Sequence, residues 1–224
     1  MPPNPDSPAE GFPSEEGNVV TIANARRRLE RVLGLSGTEH WAAFEIDSQK
    51  SREIACLRKW ANECDAWLVE ARLEDWKATK EGRFGIWFGA HGRAMGDPVR
   101  QIKKLNSATP HQYLSRLALS NEWCRTLPGL TAFDELTRLE GVLTLDDEFS
   151  IITSQPCFPH DDDQPDEAEL ARWLGSQCFP SIAKGIWYRA SDDLGLFDIK
   201  PSYIIRSGGV LVPEDVIAIR PTGL

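Results

Sequence analysis

Cysteine is scarce in this sequence, and its spacing excludes two common kinds of site. The five cysteines are odd in number, lie far apart and form no C-x-x-C pair, at positions 56, 64, 124, 157 and 178. A disulfide framework in a secreted domain needs an even, ordered set of cysteines, and a structural zinc site needs ligands at short spacing. We therefore expect reduced thiols, as in a cytoplasmic protein, and no zinc centre.

Long apolar runs and a basic surface are also lacking. No segment approaches the roughly 18 consecutive apolar residues of a membrane span, and the opening residues, Met-Pro-Pro-Asn-Pro-Asp, do not resemble a signal peptide. The formal net charge is −9, and the densest basic run, Arg26 to Arg28 with Arg31, fits the solvated face of an amphipathic helix. Because nucleic-acid binding needs a basic face, we expect neither a nucleic-acid partner nor a membrane association.

Three regions of different composition follow one another along the chain. Residues 1–17 are rich in proline and acidic residues, which predicts a disordered leader. Residues 18–80 form a helical N-terminal extension, in which a possible short strand at Val19–Ile22 precedes helical spacing at 23–33 and 48–68. Residues 81–224 alternate strands with helices. The order of elements predicts an α+β fold with a mostly antiparallel sheet and packed helices.

Within the third region, turn and capping residues mark the expected elements. A glycine-rich hairpin is predicted at 82–92 and a strand at 98–105, and Thr109 caps a helix that begins at Pro110 and runs to about Trp123. A hairpin at 137–153 and a helix at 166–177 come next. The acidic run that starts at His160 is interpreted as a solvated linker, because consecutive carboxylates cannot all converge on one metal ion.

The glycine-rich hairpin and the strand after it could contact the phosphates of a nucleotide. Gly89 and Gly92 belong to a glycine set without the G-x-G-x-x-G spacing, so an ordinary hairpin is the competing interpretation. Lys103 could reach the phosphates from its strand, as the strand lysine of a kinase does. Its neighbour Lys104 points to the opposite face, since side chains alternate along a strand. Only one of the two lysines can therefore face a ligand, and the sequence does not choose between them. A solvated pair of lysines at a sheet edge is the alternative.

Two aspartates near the end of the chain form the skeleton of a phosphoryl-transfer site. Asp198 lies two residues before Lys200-Pro201, and Asp215 follows a Gly-Gly turn and a second apolar run. In such sites one aspartate orients the attacking hydroxyl and another holds Mg²⁺. The alternatives are an ordinary turn aspartate at position 198 and an acidic strand end at position 215.

Two ordered blocks of the second half carry a resemblance to a known family. The blocks are Ala108–Asn121 with Leu139–Val142 and Ile152–Pro156, and Phe197–Pro201 with Gly209–Ile217. On these blocks, residues 82–221 resemble small phage and bacterial proteins that are similar to the serine/threonine/tyrosine kinase-like domains of polyvalent proteins of mobile elements. The resemblance implies a minimal protein-kinase-like architecture with ATP and Mg²⁺ as cofactors.

The same resemblance implies roles for particular residues and two departures from the family pattern. Asp198 matches the catalytic-loop aspartate and Asp215 the magnesium-binding one. Tyr203 stands where a metal-binding asparagine is expected, and a phenol is a poor ligand for Mg²⁺. Gln112 stands where a glutamate would pair with Lys103, and its neutral amide can hydrogen-bond the lysine without neutralising it. Both departures point to weak or absent catalysis.

These observations leave three functional interpretations open. The first is a kinase-like phosphotransferase of weak or no activity. The second is a non-catalytic module that binds a protein partner, such as an immunity, antitoxin or phage-accessory protein, with the tryptophan-rich N-terminal helix as an interface. The third is a globular protein whose fold only resembles a kinase in these motifs.

Overall fold

The computed structural model describes residues 21–35, 46–63, 78–82, 85–88, 98–105, 108–133, 136–145, 148–159, 161, 163–214 and 216–221. The predicted leader, residues 1–17, lies outside this part of the chain. The elements mix helices with antiparallel strands, which confirms the α+β fold class. The bounds are α1 Ile22–Leu33, α2 Ile46–Glu63, β1 Ala78–Gly82, β2 Gly85–Phe88, β3 Pro98–Lys104, α3 Pro110–Cys124, β4 Arg138–Leu145, β5 Glu148–Pro156, α4 Glu167–Ser176, β6 Ser181–Ala183, β7 Ile186–Arg189, β8 Leu194–Phe197, β9 Ile204–Ser207, β10 Val210–Pro213 and β11 Ile217–Ile219.

The first sheet has the strand order β1-β2-β3-β5-β4, and each neighbouring pair is antiparallel. Helix α3 is the connection from β3 to β4. In the first hairpin Gly82 lies opposite Gly85, so the chain reverses between these two glycines. The hairpin predicted at 82–92 is therefore misplaced, because β1 begins earlier, at Ala78, and β2 already ends at Phe88.

The last third of the chain forms a second sheet and a separate hairpin. The second sheet has the order β11-β8-β7-β6, and β9 pairs with β10 alone. The β9–β10 turn consists of Gly208 and Gly209, both in the left-handed region with φ of 58° and 78°. Two consecutive positive φ values define the tight hairpin turn that matches strand twist, and glycine adopts them at little cost. The predicted Gly-Gly turn is confirmed.

The N-terminal helices belong to the same core as the first sheet. Helix α1 begins after Thr21, whose side chain accepts a hydrogen bond from Asn24 N at 3.0 Å, and ends at Gly34. Ile22 is thus helical, and the short strand predicted to include it is wrong at that residue. One hydrophobic cluster joins α1 and α2 to α3, β4 and β5, through Ile22, Ala25, Leu29, Leu57, Trp60, Leu105, Leu114, Leu139, Phe149 and Ile151.

A second hydrophobic cluster lies at the other end of α3. Trp123 is at its centre, with ring centroids 5.8 Å from Trp173 and 5.9 Å from Phe179. The cluster also contains apolar residues of the second sheet and of the β9–β10 hairpin, including Leu196, Ile204, Ile205, Leu211, Val212 and Ala218. Helix α3 therefore connects both clusters. No helix in the described segments is both long and apolar enough to cross a bilayer.

Candidate functional site

A cleft of about 330 Å³ lies where the first sheet, helix α3 and the segments around the β9–β10 hairpin meet. This volume is at the lower end of the range of roughly 300–1,000 Å³ found for small-molecule sites. Three walls enclose it, and each wall has its own chemistry.

The sheet wall is formed by alternate residues of β3 and β5. Gln101 and Lys103 line the cleft from β3, Leu105 does so just after that strand, and Thr153 and Gln155 do so from β5. Side chains two residues apart point to the same face of a strand. Lys103 therefore faces the cleft.

The helix wall is one face of α3. Its lining residues recur at intervals of three and four, namely Tyr113, Arg116, Leu117, Ser120, Asn121 and Cys124. Burial lowers the pKa of the Arg116 guanidinium, and arginine stays charged in proteins at neutral pH. Burial raises the pKa of the Cys124 thiol to about 12, so this cysteine is not a thiolate nucleophile near pH 7.

The third wall carries Asp198 and Tyr203, which are held together by Lys200. Asp198 adopts a left-handed backbone conformation, with φ of 53°. Lys200 Nζ lies 2.8 Å from the Asp198 carboxylate and 3.4 Å from Tyr203 Oη, and 4.8 Å from the centroid of the Tyr203 ring. The hydrogen bond with Asp198, followed by that with Tyr203, raises the pKa of Lys200. The lysine thus contacts both the carboxylate and the phenol at this wall.

The loop that carries Asp198 is tied to the second sheet and to the β9–β10 hairpin. Ile199 N donates to Gly185 O at 3.1 Å, and Glu214 N donates to Tyr203 O at 2.9 Å. Ile199 itself is buried in the Trp123 cluster. Because both ends of this loop are hydrogen-bonded and one residue is in the core, the position of Asp198 is set by the fold.

The chain on both sides of Asp215 is hydrogen-bonded to the other two walls. Gln155 Nε2 donates to Glu214 O at 3.3 Å, and Ser120 Oγ donates to Val216 O at 3.0 Å. Glu214 and Val216 both line the cleft. Asp215 lies outside the described residues, so its predicted role as the magnesium ligand stays a prediction.

The structure brings together some of the sequence-predicted site residues and not others. Lys103 and Asp198, far apart in sequence, line the same cleft. Gln112 is not among the lining residues, because its side-chain oxygen accepts a hydrogen bond from Thr109 N at 3.0 Å and so caps α3. The side-chain oxygen of Gln112 is thus engaged at the start of the helix. Gly89 and Gly92 lie outside the described residues.

Sequence reasoning did not single out Arg116 or Asp161. Arg116 lines the cleft at helical spacing from Tyr113 and Ser120, and that period was a usable signal. Asp161 belongs to the acidic run that was interpreted as a solvated linker. Its carboxylate accepts hydrogen bonds from Gly208 N at 3.2 Å and Gly209 N at 3.1 Å, so it stabilises the hairpin turn.

The cleft has donors of the type that Mg²⁺ prefers on one wall. Asp198 and Glu214 are the acidic side chains among its described lining residues, and Mg²⁺ in nucleotide sites takes one or two carboxylates together with phosphate oxygens and water. No group of three or more potential metal ligands occurs among the residues that the structure describes. These carboxylates fit a magnesium ion that is shared with a nucleotide and do not form a closed metal cage.

Comparisons with known proteins found no counterpart for this chain. No protein-family model, no curated protein and no solved structure matched it.

Proposed function

We propose that this protein is a kinase-like phosphotransferase that uses ATP and Mg²⁺ and has weak activity. The observation that carries the proposal is the cleft lined by both Lys103 and Asp198. A cation that braces phosphates and a carboxylate that orients a hydroxyl must lie in one cleft for phosphoryl transfer. A cytoplasmic location, where ATP is present, is part of the proposal.

The topology around the cleft supports a kinase-like arrangement. Lys103 lies on the third strand of an antiparallel sheet, and a helix follows that strand directly. Asp198 precedes the antiparallel β9–β10 hairpin, and Asp215 is the second residue after that hairpin ends at Pro213. Protein kinases use a lysine on the third strand, a helix beside it, and two later aspartates in this order.

In the proposed reaction, this chain supplies position and charge. Lys103 holds the phosphates, and Asp198 accepts the proton of the acceptor hydroxyl while the hydroxyl oxygen forms a bond to the γ-phosphorus. The bond between the γ-phosphorus and the bridging oxygen breaks, and ADP leaves with that oxygen. When bound, Mg²⁺ would neutralise charge on the phosphates, with Glu214 and Asp215 as its candidate ligands.

Tyr203 is the reason to expect weak activity. It lines the cleft at the position where the family resemblance implies a metal-binding asparagine, and its phenol contacts Lys200 instead. We expect Tyr203→Asn to increase magnesium-dependent transfer, on the order of tenfold, because an amide oxygen replaces a poor ligand.

The proposal is tested by transfer from γ-labelled ATP, scored as labelled protein, labelled added acceptor and released phosphate. Wild type should transfer or release label in the presence of Mg²⁺, and both Asp198→Asn and Lys103→Gln should reduce the rate at least about 100-fold. Lys104→Gln is the matched control and should retain the wild-type rate. If neither wild type nor Tyr203→Asn gives more label than Asp198→Asn, the phosphotransferase proposal is wrong.

One observation favours a second function. In this alternative the protein is a non-catalytic module that binds a protein partner, as an immunity, antitoxin or phage-accessory protein would. The Asp198 carboxylate and the Tyr203 phenol both contact Lys200. Both contacts form without a nucleotide. This alternative predicts that ATP with Mg²⁺ produces no thermal shift in wild type, and a shift that is lost in Asp198→Asn contradicts it.

A further inference from the structure

Charge is segregated between the walls of the cleft. The described lining residues from β3, β5, α3 and the segments before α3 and β4 include two cations, Lys103 and Arg116, and no carboxylate. Both lining carboxylates, Asp198 and Glu214, belong to the third wall. Among the described residues, the cations thus lie on one side of the cleft and the carboxylates on the other, where Lys200 pairs with Asp198.

The two cations are on elements whose relative position is fixed by helix α2. Lys50 Nζ donates to Leu105 O, at the end of the strand that carries Lys103. The buried carboxylate of Glu53 accepts a hydrogen bond from His111 N at 2.7 Å, in the first turn of the helix that carries Arg116. One helix thus contacts both sides of the connection between β3, which carries Lys103, and α3, which carries Arg116.

We infer that Arg116 is a second phosphate-binding residue and that Lys103 and Arg116 together bind the polyphosphate chain of a nucleoside triphosphate without Mg²⁺. A guanidinium offers a planar set of N–H donors that matches phosphate oxygens, and a partly buried arginine keeps its charge. Two cations on one wall neutralise much of a triphosphate's charge. The metal, at the acidic wall, is then required for transfer and not for binding.

This inference rests on the proposed function. It separates binding of the triphosphate, which does not need Mg²⁺, from phosphoryl transfer, which does. Binding of the triphosphate moiety depends on Lys103 and Arg116. Transfer depends on Asp198 and on the metal held at the third wall. A site in which Mg²⁺ carried the phosphates would lose nucleotide when the metal is chelated, so the two arrangements give different results in EDTA.

The test is calorimetric titration of the full-length protein with inorganic triphosphate and with ATP, each in EDTA and in Mg²⁺. Wild type should bind both probes in EDTA with a Kd within about tenfold of the value in Mg²⁺. Arg116→Gln should weaken binding of both probes at least about tenfold, the effect of losing one charge-assisted contact. Arg116→Lys keeps the charge but loses the planar set of N–H donors, and it should weaken binding by an intermediate amount.

Arg125→Gln is the matched control, because Arg125 is the exposed C-cap residue of the same helix and does not line the cleft. It should bind as wild type does. Circular dichroism of each variant establishes whether it is folded. If Arg116→Gln does not fold, the affinity of Arg116→Lys for triphosphate provides the test instead. Triphosphate binding that is absent in EDTA, or that is unchanged in a folded Arg116 variant, overturns the inference.

The inference and the proposed function fail in different ways. Magnesium-dependent transfer that needs Asp198 but is indifferent to Arg116 leaves the phosphotransferase proposal standing and removes Arg116 from it. Metal-free triphosphate binding that needs Arg116, in a protein that transfers no phosphate, keeps the basic wall as a polyphosphate site and removes the transfer reaction.

Discussion

At the scale of single residues, the backbone of Asp198 is the feature that most constrains the site. Its φ of 53° places a non-glycine residue in the left-handed region. Aspartate and asparagine tolerate this region better than other residues with a Cβ, because their short polar side chains can bond locally. The Lys200 contact at 2.8 Å is such a local bond. The sequence at this position is therefore restricted by conformation as well as by chemistry.

The first prediction separates conformation from chemistry at Asp198. Asp198→Asn should leave the free energy of unfolding within about 0.5 kcal/mol of wild type, whereas Asp198→Ala should lower it by about 1 kcal/mol, since alanine is strained at positive φ. Urea denaturation measures both. Asp198→Gly provides the control, because glycine removes the side chain without strain. Equal stability of the alanine and glycine variants would show that the conformation is not strained.

At the scale of elements, helix α3 has an unusually complete N-terminus. Thr109 and Gln112 form a reciprocal capping box, and Pro110 occupies the first turn. The carboxylate of Glu53, contributed by helix α2, accepts the N–H of His111 and is bonded by Gln49 Nε2 at 2.8 Å. A carboxylate at a helix N-terminus also interacts favourably with the helix dipole. These contacts set where the helix wall of the cleft begins.

The second prediction concerns this N-terminus. Glu53→Ala should lower the free energy of unfolding by about 2–3 kcal/mol, because it leaves the buried N–H of His111 without its carboxylate acceptor. The measurement is chemical denaturation followed by circular dichroism. Arg52→Ala, at the neighbouring exposed position of the same helix, is the control and should change stability by less than about 0.5 kcal/mol. Similar values for the two variants would contradict the assigned role of Glu53.

The third prediction concerns the β9–β10 hairpin. Asp161→Ala should destabilise the protein by about 1–2 kcal/mol, because its carboxylate accepts the N–H groups of both turn glycines. Asp163 belongs to the same acidic run, but its side chain is 82% exposed and its carboxylate lies 3.7 Å from Arg206 Nε, a long and weak contact. Asp163→Ala should cost less than about 0.5 kcal/mol. Thermal denaturation of the two variants tests the difference, and equal effects would refute the stabilising role of Asp161.

Elements whose signals are local could be predicted from the sequence, and those that depend on distant contacts could not. Thr109-Pro110 fixed the start of α3, and Asp166 caps α4 as its sequence context suggests. The turn between Gly82 and Gly85 could not be chosen from a stretch with four glycines, since each permits a reversal. The bond from Asp161 to the hairpin joins segments nearly fifty residues apart in sequence, so no local pattern contained it.

The candidate site shows the same division. Strand alternation predicted that only one of Lys103 and Lys104 could face a ligand. It did not choose between them, and Lys103 is the one that the structure places in the cleft lining. The spacing Thr-x-x-Gln is a capping-box signature, and it explains why Gln112 is committed to the helix end instead of to Lys103. Arg116 depended on which face of α3 turns towards the cleft, and that depends on how α3 packs with α1 and α2 in the shared hydrophobic cluster.

At the scale of the whole molecule, the N-terminal helices and the first sheet share one hydrophobic cluster. Trp60 of α2 is fully buried in it, together with Leu114 of α3 and Ile151 of β5. Because α3 also contributes Trp123 to the second cluster, both halves of the protein should unfold together. The position of the helix wall of the cleft then depends on the N-terminal helices.

The fourth prediction tests this cooperativity. Trp60→Ala should lower the free energy of unfolding by about 3–5 kcal/mol, the usual cost of removing a buried tryptophan. Fluorescence and circular dichroism should report a single, coincident transition in wild type. Lys59→Ala, at an exposed position beside it, should have little effect. A separate early transition of the N-terminal helices would contradict the shared core.

The central claim is that Lys103 faces a cleft that binds the phosphates of ATP, and calorimetric titration of ATP with Mg²⁺ tests it most directly. Lys103 and Lys104 are adjacent and carry the same charge, but only Lys103 is expected to point into the cleft, so Lys103→Gln and Lys104→Gln form a matched pair. The account predicts one binding site in wild type, a loss of affinity of at least about tenfold in Lys103→Gln, and wild-type affinity in Lys104→Gln. Equal affinity in the two variants, or no binding by wild type, would contradict it.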